Sequence, residues 1–186
     1  MILITAFEPF GGQSVNASAE VLKRLPETIG GHAVVKDILP VVFGKAAEQA
    51  LRHPADLIFL LGEAGRRQTV TPELKAKNIR DARIADNEGN QPQREPILPD
   101  GADEYHTVIP VEEIVGRMPG DAVSASHDAG TFVCNDTFYL TGMKSKVPVE
   151  FIHVPAIPAK ADEYAAVVVR FIELAIEQYT IQFSGK

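Results

Sequence analysis

Tryptophan is absent from the chain, and cysteine occurs once, at Cys134. A single cysteine excludes an internal disulfide and a metal site built from several cysteines. It fits a reducing compartment, where a lone thiol is either a nucleophile or an inert core residue. No apolar run reaches the ~18 residues that a membrane-spanning helix needs. We therefore expect no membrane partner and a cytoplasmic location.

Basic residues are in the minority, with 18 Lys and Arg against 25 Asp and Glu and a net charge of -7. Binding to nucleic-acid phosphates requires a basic face, so no nucleic-acid partner is expected. The 45% of hydrophobic and 23% of charged residues are ordinary for a globular protein. A length of 186 residues fits one domain with its own core, spanning residues 1–186.

Strands and helices alternate along the chain. The apolar patterns predict strands at residues 2–6, 33–39, 56–62, 122–126 and 149–154, and helices at residues 16–25, 44–52, 111–117, from about 134, and 162–179. Residues 69–83 are expected to be extended, and residues 86–101, rich in Asn, Gly, Pro and Asp, to form a long surface loop. This order predicts a three-layer α/β/α sandwich around a mixed, mostly parallel sheet.

Cys134 follows a predicted strand and the turn residues 128–130, at the expected start of a helix. The exposed N–H groups and the dipole at a helix N-terminus stabilise a thiolate, which is the form that attacks carbonyl groups. The same N–H groups are suited to bind the oxyanion of acyl transfer. The alternative is an inert core cysteine, because free cysteine is often buried.

A cysteine nucleophile needs a base, and the chain has five histidines. His153 lies near the end of a predicted strand, with Pro155 closing the pairing, and strand ends are where α/β enzymes gather reactive groups. His127 stands seven residues before Cys134 and is the rival candidate. A histidine satisfied within the core is the structural alternative for both.

A third group must orient the imidazole and stabilise its charged form. An acidic side chain in apolar surroundings is a candidate, because its burial without a partner is costly. Four carboxylates meet this description: Glu63, Glu73, Asp81 and Asp86. Their spacing along the chain does not choose among them.

Seven segments together resemble one family of cysteine peptidases. They are Phe-Glu-Pro-Phe-Gly-Gly at 7–12, Asn-Ala-Ser at 16–18, Gly-Glu-Ala-Gly at 62–65, Thr-Pro-Glu at 71–73, residues 81–84 with 86–92, Ala-Gly-Thr-Phe-Val-Cys-Asn at 129–135, and Phe-Ile-His-Val-Pro at 151–155. In this order they resemble pyroglutamyl peptidase I, or pyrrolidone-carboxylate peptidase, over nearly the whole chain. The resemblance implies a catalytic triad of Glu73, Cys134 and His153.

The resemblance also implies a substrate and its pocket. The family hydrolyses the amide bond after an N-terminal pyroglutamyl residue, so N-terminal pyroglutamyl peptides are the expected partners. The flat ring is expected between Phe10 and Phe132, and the further binding residues implied are Phe7, Asn16, Ile84 and Val133. Apolar walls and no counter-ion suit a neutral lactam and reject charged N-termini.

Neither a metal nor a cofactor is implied, and the resemblance points to a single catalytic domain and to a homo-oligomer, a dimer or a tetramer. Two other functions stay open from the sequence. One is a non-catalytic relative that binds pyroglutamyl or similar small ligands. The other is a cysteine hydrolase for a different small amide.

Three departures from the family pattern carry charge. Arg66 stands where the family has glycine, and Glu63 stands where several relatives have glutamine. We expect Glu63 to pair with Arg66 or Arg67, or to change the charge of the pocket. Lys75 and Lys77 would share a strand face with Glu73. An ammonium there would favour the charged carboxylate or draw it away from His153.

Overall fold

The computed structural model describes residues 1–183, and the side chains of residues 1–178. Its strands are β1 (Ile2–Phe7), β2 (Thr28–Ile29), β3 (His32–Leu39), β4 (Leu57–Ala64), β5 (Thr71–Pro72), β6 (Lys75–Lys77), β7 (Glu104–His106) and β8 (Val149–Pro155). Its helices are α1 (Ala17–Arg24), α2 (Lys45–Ala50), α3 (Val111–Gly116), α4 (Val133–Lys144) and α5 (Ala161–Phe183).

Six strands form the main sheet in the order β2-β3-β1-β4-β8-β5, and β6 pairs with β7 in a separate ribbon. The four central strands β3, β1, β4 and β8 are parallel. The two outer strands, β2 and β5, are antiparallel to their neighbours and only two residues long. The sheet is therefore mixed and mostly parallel, as predicted.

Helices cover both faces of the sheet. On one face, alternate residues of β1 such as Ile2 and Ile4 pack in a cluster with apolar side chains of α1, α3 and α5. On the other face, Leu3 and Phe7 pack in a cluster with side chains of α2 and α4. Strands covered on both faces explain the unbroken apolar runs of the sequence. The predicted three-layer α/β/α architecture is confirmed.

The first helix begins where the sequence indicated. Asn16 is the N-cap of α1, and its Oδ1 accepts a hydrogen bond of 3.0 Å from the Ser18 N–H. Asn16 Nδ2 donates to the carbonyl of Glu8 over 3.1 Å. The cap thus joins the helix to the end of β1, at the carboxyl edge of the sheet.

Residues 122–126 were predicted as a strand, and this was wrong. The segment is extended and hydrogen-bonded to residues 70–74, but it forms only the isolated bridges Val70↔Val123 and Glu73↔Ser126. The apolar pattern correctly indicated extended backbone. It gave no information on pairing, which is interrupted opposite Pro72 because proline has no N–H to donate to the ladder.

The long loop was predicted correctly, since residues 86–101 contain no helix or strand. The loop is pinned by a bridge between Arg80 and Glu95. Asp86 Oδ2 accepts a hydrogen bond of 3.1 Å from the Phe43 N–H, which fastens the loop to the segment before α2.

Within the described chain, none of the helices is both long enough and apolar enough to cross a bilayer.

Candidate active site

Cys134 is the second residue of α4 and lies against the central strand β4. A Cβ built on Gly62 would come within 2.9 Å of Cys134 Sγ, so the sulfur lies directly over that glycine. Gly62 pairs in parallel register with His153 of β8. Paired residues point to the same face of a sheet. The thiol and the imidazole are therefore neighbours on the α4 face, and both line one cavity.

The Nδ1 side of the His153 ring contacts a carboxylate. Its Nδ1 lies 2.8 Å from Glu73 Oε1, and its ring lies 4.8 Å from the ring of Phe151, centroid to centroid. With Nδ1–H donating to the carboxylate, Nε2 carries the free lone pair of the neutral imidazole. No hydrogen bond joins Cys134 to His153 among the described residues. Catalytic hydrogen bonds often tighten only when substrate binds.

Glu73 follows the edge strand β5 and is fully buried. Its N–H donates to the Phe151 carbonyl over 2.9 Å, which sets the side chain beside β8. Its Oε1 accepts from His153 and also from Arg67, over 3.1 Å. Its Oε2 is buried without a hydrogen-bond partner in the described part of the chain. The structure thus brings Glu73, His153 and Cys134 together, as the resemblance implied.

The lysines do not compete for Glu73. Lys75 pairs with Glu104 at 2.6 Å, and Lys77 pairs with Asp128 at 2.8 Å. The expectation that one of them would favour the charged form of Glu73 or draw it away from His153 was wrong. The cation at Glu73 is Arg67, which was expected only as a partner for Glu63. The spacing of Arg67 and Glu73 gave no signal of the contact, because the chain turns between them.

The other candidates lie elsewhere. His127 is two-thirds exposed and its Nε2 is 3.6 Å from Glu112, away from the thiol. Asp86 accepts hydrogen bonds from loop residues such as Glu88 and Asn90. The Asp81 N–H donates to the Thr131 carbonyl over 3.0 Å, and the Thr131 hydroxyl donates to the Asp81 carbonyl over 2.8 Å. Of the candidate bases and carboxylates, His153 and Glu73 are the pair joined by a hydrogen bond in the described structure.

The cavity around Cys134 encloses about 500 Å³, including its mouth. Five of the six binding residues implied by the resemblance line it, namely Phe7, Phe10, Asn16, Phe132 and Val133. The rings of Phe10 and Phe132 are in contact, with centroids 5.9 Å apart and planes at 37°. A flat ring between them needs about 7 Å, twice the usual contact distance, so the two must separate to enclose one.

Ile84 lines an adjoining cavity. That cavity shares Phe10, Thr131 and Phe132 with the first and also includes Arg83. Ile84 is 46% exposed, and its Cδ1 would lie 3.7 Å from a Cβ built on Gly11. The two cavities meet at the Phe10–Phe132 pair.

Glu63 lines the cavity and gives it a carboxylate, the second of the two alternatives expected for this residue. Glu63 Oε2 accepts a hydrogen bond of 2.6 Å from the N–H of Ala17, the first residue of α1. Neither Arg66 nor Arg67 pairs with it, and it forms no ion pair within the described chain. The carboxylate is stabilised instead by a helix N-terminus.

Burial raises the pKa of the Cys134 thiol to about 12, and the charges of Glu73 and Glu63 act in the same direction. The expected stabilisation of a thiolate by the N-terminus of α4 is outweighed. Desolvation and two carboxylates both disfavour a negative sulfur. At neutral pH the thiol is therefore mostly protonated, and the imidazole of His153 lines the same cavity.

Glu150 was not anticipated. It is fully buried in β8, its Oε1 accepts a hydrogen bond of 3.2 Å from the Glu73 N–H, and its Oε2 has no partner among the described residues. Desolvation raises the pKa of this carboxyl well above 4.5, and the Glu73 charge adds to the effect. A charged residue between Val149 and Phe151 in an apolar run was the visible signal.

The described residues contain no group of three or more His, Cys, Asp or Glu side chains arranged to hold a metal ion. The groups that the site presents are a thiol, an imidazole and a carboxylate beside an apolar cavity. Such a set supports nucleophilic acyl transfer.

Comparisons with known proteins agree with this geometry. A family model described as pyroglutamyl peptidase matches residues 1–180. A pyrrolidone-carboxylate peptidase of Clostridium botulinum is 42% identical over 170 residues, covering 86% of this chain and 80% of the relative. The crystal structure of pyroglutamyl peptidase I from Bacillus amyloliquefaciens aligns with a TM-score of 0.85 and 36% identity, over 94% of each chain.

A more distant structure is equally similar in fold. The pyrrolidone carboxyl peptidase from Thermococcus litoralis aligns with a TM-score of 0.90 at 29% identity, over 97% of this chain and 95% of that one. The architecture is thus retained where fewer than a third of the residues are identical.

Proposed function

The chain belongs to the pyroglutamyl peptidase family, and we propose that Cys134, His153 and Glu73 are the triad with which it hydrolyses its substrates. The enzyme is a cysteine-type hydrolase that removes an N-terminal pyroglutamyl residue from a peptide. The observation that carries the assignment is the 2.8 Å contact between His153 Nδ1 and Glu73 Oε1, which joins residues 80 positions apart beside the cavity that holds the thiol.

The first half of the reaction forms an acyl-enzyme. Cys134 Sγ attacks the carbonyl carbon of the pyroglutamyl residue while its proton passes to His153 Nε2. Glu73 holds the imidazole and stabilises the imidazolium that forms. The tetrahedral intermediate collapses as the carbon–nitrogen bond breaks, and His153 gives the proton to the departing amine.

The second half releases pyroglutamate. His153 takes a proton from a water molecule that attacks the thioester carbon, and the returning proton restores the Cys134 thiol. Both tetrahedral intermediates carry an oxyanion. Cys134 lies in the first turn of α4, where main-chain N–H groups lack partners within the helix. These N–H groups are the donors we assign to the oxyanion.

The cavity supports a small, flat, largely apolar ligand. Phe7, Phe10, Phe132 and Val133 supply apolar walls, and aromatic faces suit a planar ring. Asn16 and Glu63 are the polar side chains at its edge. We assign six residues to substrate binding. Five line the cavity, namely Phe7, Phe10, Asn16, Phe132 and Val133, and the sixth, Ile84, lies at the entrance shared with the adjoining cavity.

The assignment is tested by release of 7-amino-4-methylcoumarin from its pyroglutamyl amide. Cys134→Ala and His153→Ala are expected to lose at least about a thousandfold in kcat, as for other triads. His127→Ala is the matched control, because His127 is exposed and distant, and it should retain wild-type turnover. Undiminished turnover in Cys134→Ala would refute the triad.

Alkylation gives a second test on the native chain. Cys134 is the sole cysteine, so iodoacetamide can modify one thiol only. Mass spectrometry should show one adduct per chain, and inactivation should follow adduct formation in proportion. Pyroglutamate should protect the thiol, because it fills the same cavity.

Three further properties are part of the proposal. Residues 1–186 form one catalytic domain, which the family match over residues 1–180 supports. A free thiol at the reacting centre supports work in a reducing compartment such as the cytoplasm. The predicted homo-oligomer, a dimer or a tetramer, is tested by light scattering during size-exclusion chromatography.

A further inference from the structure

One nitrogen of Arg67 contacts two other segments of the site. Arg67 Nη2 lies 3.1 Å from Glu73 Oε1, 2.9 Å from Ser126 Oγ and 2.8 Å from the Asp128 carbonyl. The side chain is about one-third exposed, whereas Glu73 is fully buried. Arg67 thus reaches inward from the turn after β4 to a carboxylate that water does not contact.

We propose that Arg67 is a positioning residue of the hydrolysis: it holds the Glu73 carboxylate on His153 and ties that pair to the loop that leads to Cys134. This inference rests on the function proposed above and extends it. Arg67 touches neither the thiol nor the cavity, so its action is through Glu73.

The Glu73 carboxylate depends on Arg67 for its charge balance. A buried carboxylate needs a cation and hydrogen bonds to offset lost hydration. Among the described residues Arg67 is the only lysine or arginine within ion-pair distance of Glu73. Both donors, Arg67 Nη2 and His153 Nδ1, meet at the same oxygen. Arg67 therefore fixes the direction in which Oε1 faces the imidazole.

The second part of the contact reaches the cavity wall. Ser126 is hydrogen-bonded through its main chain to Pro72 and Leu74, on either side of Glu73. Two residues beyond Ser126, Asp128 carries the carbonyl that Arg67 binds, and the chain continues as residues 129–134, which line the cavity and end at the nucleophile. Arg67 thereby links the base-orienting carboxylate to the nucleophile loop.

The positive charge of Arg67 also acts on His153. The charged or titratable groups facing the imidazole and its partner are Glu73, Arg67, Cys134, Glu63 and Glu150. Burial raises the pKa of the Glu150 carboxyl, which disfavours a second negative charge beside Glu73. Lys75 and Lys77 are paired with Glu104 and Asp128. Arg67 is then the cation that pairs with the carboxylate behind the imidazole.

Removal of this cation should favour the imidazolium, which cannot act as the base. The acid limb of kcat/KM against pH therefore moves to higher pH in Arg67→Met. A misplaced carboxylate also costs rate, and we expect kcat to fall about a hundredfold while KM changes little. Arg67→Gln keeps an N–H donor without the charge, so it should show the same pH shift with a smaller loss in kcat.

Arg66 supplies a matched control. It is the neighbouring arginine, exposed, and it has no ion pair or hydrogen bond in the described part of the chain. Arg66→Met removes the same charge from the same turn and should leave kcat and the acid limb at wild-type values. All rates are measured with the pyroglutamyl amide, well below the melting temperature of each variant.

The outcomes separate the two proposals. Arg67→Met with wild-type kcat and an unmoved acid limb overturns the positioning role, and Arg67→Gln is read in the same way if the methionine variant does not fold. An equal shift in Arg66→Met overturns it too, because the effect would then be long-range charge. Absence of turnover in the wild-type enzyme rejects the proposed function itself, and this inference with it.

Discussion

The sulfur of Cys134 occupies the space that a side chain at Gly62 would need. A Cβ on Gly62 would lie 2.9 Å from Sγ and 2.6 Å from the ring of Phe151. Neither neighbour is free to move, since Phe151 is fully buried and Cys134 is anchored in α4. The strand that carries Gly62 must therefore lack a side chain at this position for the thiol to sit beside His153.

Gly62→Ala should damage both stability and activity. Overpacking of this kind costs about 1–3 kcal/mol, and a displaced sulfur should lower kcat by about a hundredfold. Gly65→Ala is the control, because a Cβ on Gly65 meets nothing within 4 Å. Thermal unfolding measures the change in stability, and release of 7-amino-4-methylcoumarin measures the change in kcat. A Gly62→Ala enzyme with full kcat would contradict the close packing described.

Alkylation of Cys134 should be slow at neutral pH. The pKa of the thiol is raised to about 12, so the thiolate fraction, and the rate with iodoacetamide, should climb through about pH 10 without a plateau. An unperturbed thiol levels off above about pH 8.5. A rate that is already constant above neutral pH would indicate a preformed thiolate and contradict the prediction.

Glu63→Gln should speed alkylation. Because the Glu63 charge raises the pKa of the Cys134 thiol, a neutral amide lowers that pKa and increases the thiolate fraction. At mildly alkaline pH, where little thiolate is present, we expect the reaction to become about threefold to tenfold faster. Glu113→Gln, at an exposed position of α3, is the control for loss of one negative charge.

Glu150→Gln should stabilise the fold at neutral and alkaline pH. The pKa of Glu150 is raised well above 4.5 by desolvation, so above pH 4.5 the unfolded chain has lost a proton that the folded chain keeps. Stability therefore falls as pH rises. The uncharged amide of the variant has no proton to lose, so the variant keeps its stability. The wild-type protein loses roughly 1.4 kcal/mol of unfolding free energy for each pH unit between the pKa of Glu150 in the unfolded chain and its pKa in the folded chain. Melting temperatures in mildly acidic and mildly alkaline buffer should show the advantage growing with pH; a constant difference would argue against it.

Asn16→Ala should weaken both the start of α1 and substrate binding. The loss of the cap costs about 0.5–2 kcal/mol. Because Asn16 also lines the cavity, KM should rise more than kcat falls. Ser14→Ala, at an exposed site two residues earlier, should change neither. An unaltered KM in Asn16→Ala would remove this residue from the binding set.

The sheet and the main helices could be predicted from the sequence because their signals are local. The unbroken apolar run of β4 indicated burial on both faces, and Asn16 indicated the start of α1. The strand predicted at residues 122–126 is interrupted opposite Pro72, a pairing that the pattern within the segment itself does not specify. The resemblance supplied the proposed triad. Spacing alone left His127 as a rival of His153, and three other carboxylates as rivals of Glu73.

Long-range electrostatics could not be predicted. The thiol pKa depends on how deeply Cys134 is buried and on how close Glu63 and Glu73 come to it, and neither quantity is written in the order of residues. Arg67 was considered for the wrong carboxylate for the same reason. Whether two charged side chains form an ion pair depends on the path of the backbone between them, and their separation along the chain does not specify that path.

Both margins of the main sheet are two-residue antiparallel strands. β2 offers few main-chain groups to a foreign strand, and the outer side of β5 is already hydrogen-bonded to residues 122–126. Residues 122–126 therefore shield β5, and Glu73 directly behind it, from pairing with a strand of another molecule.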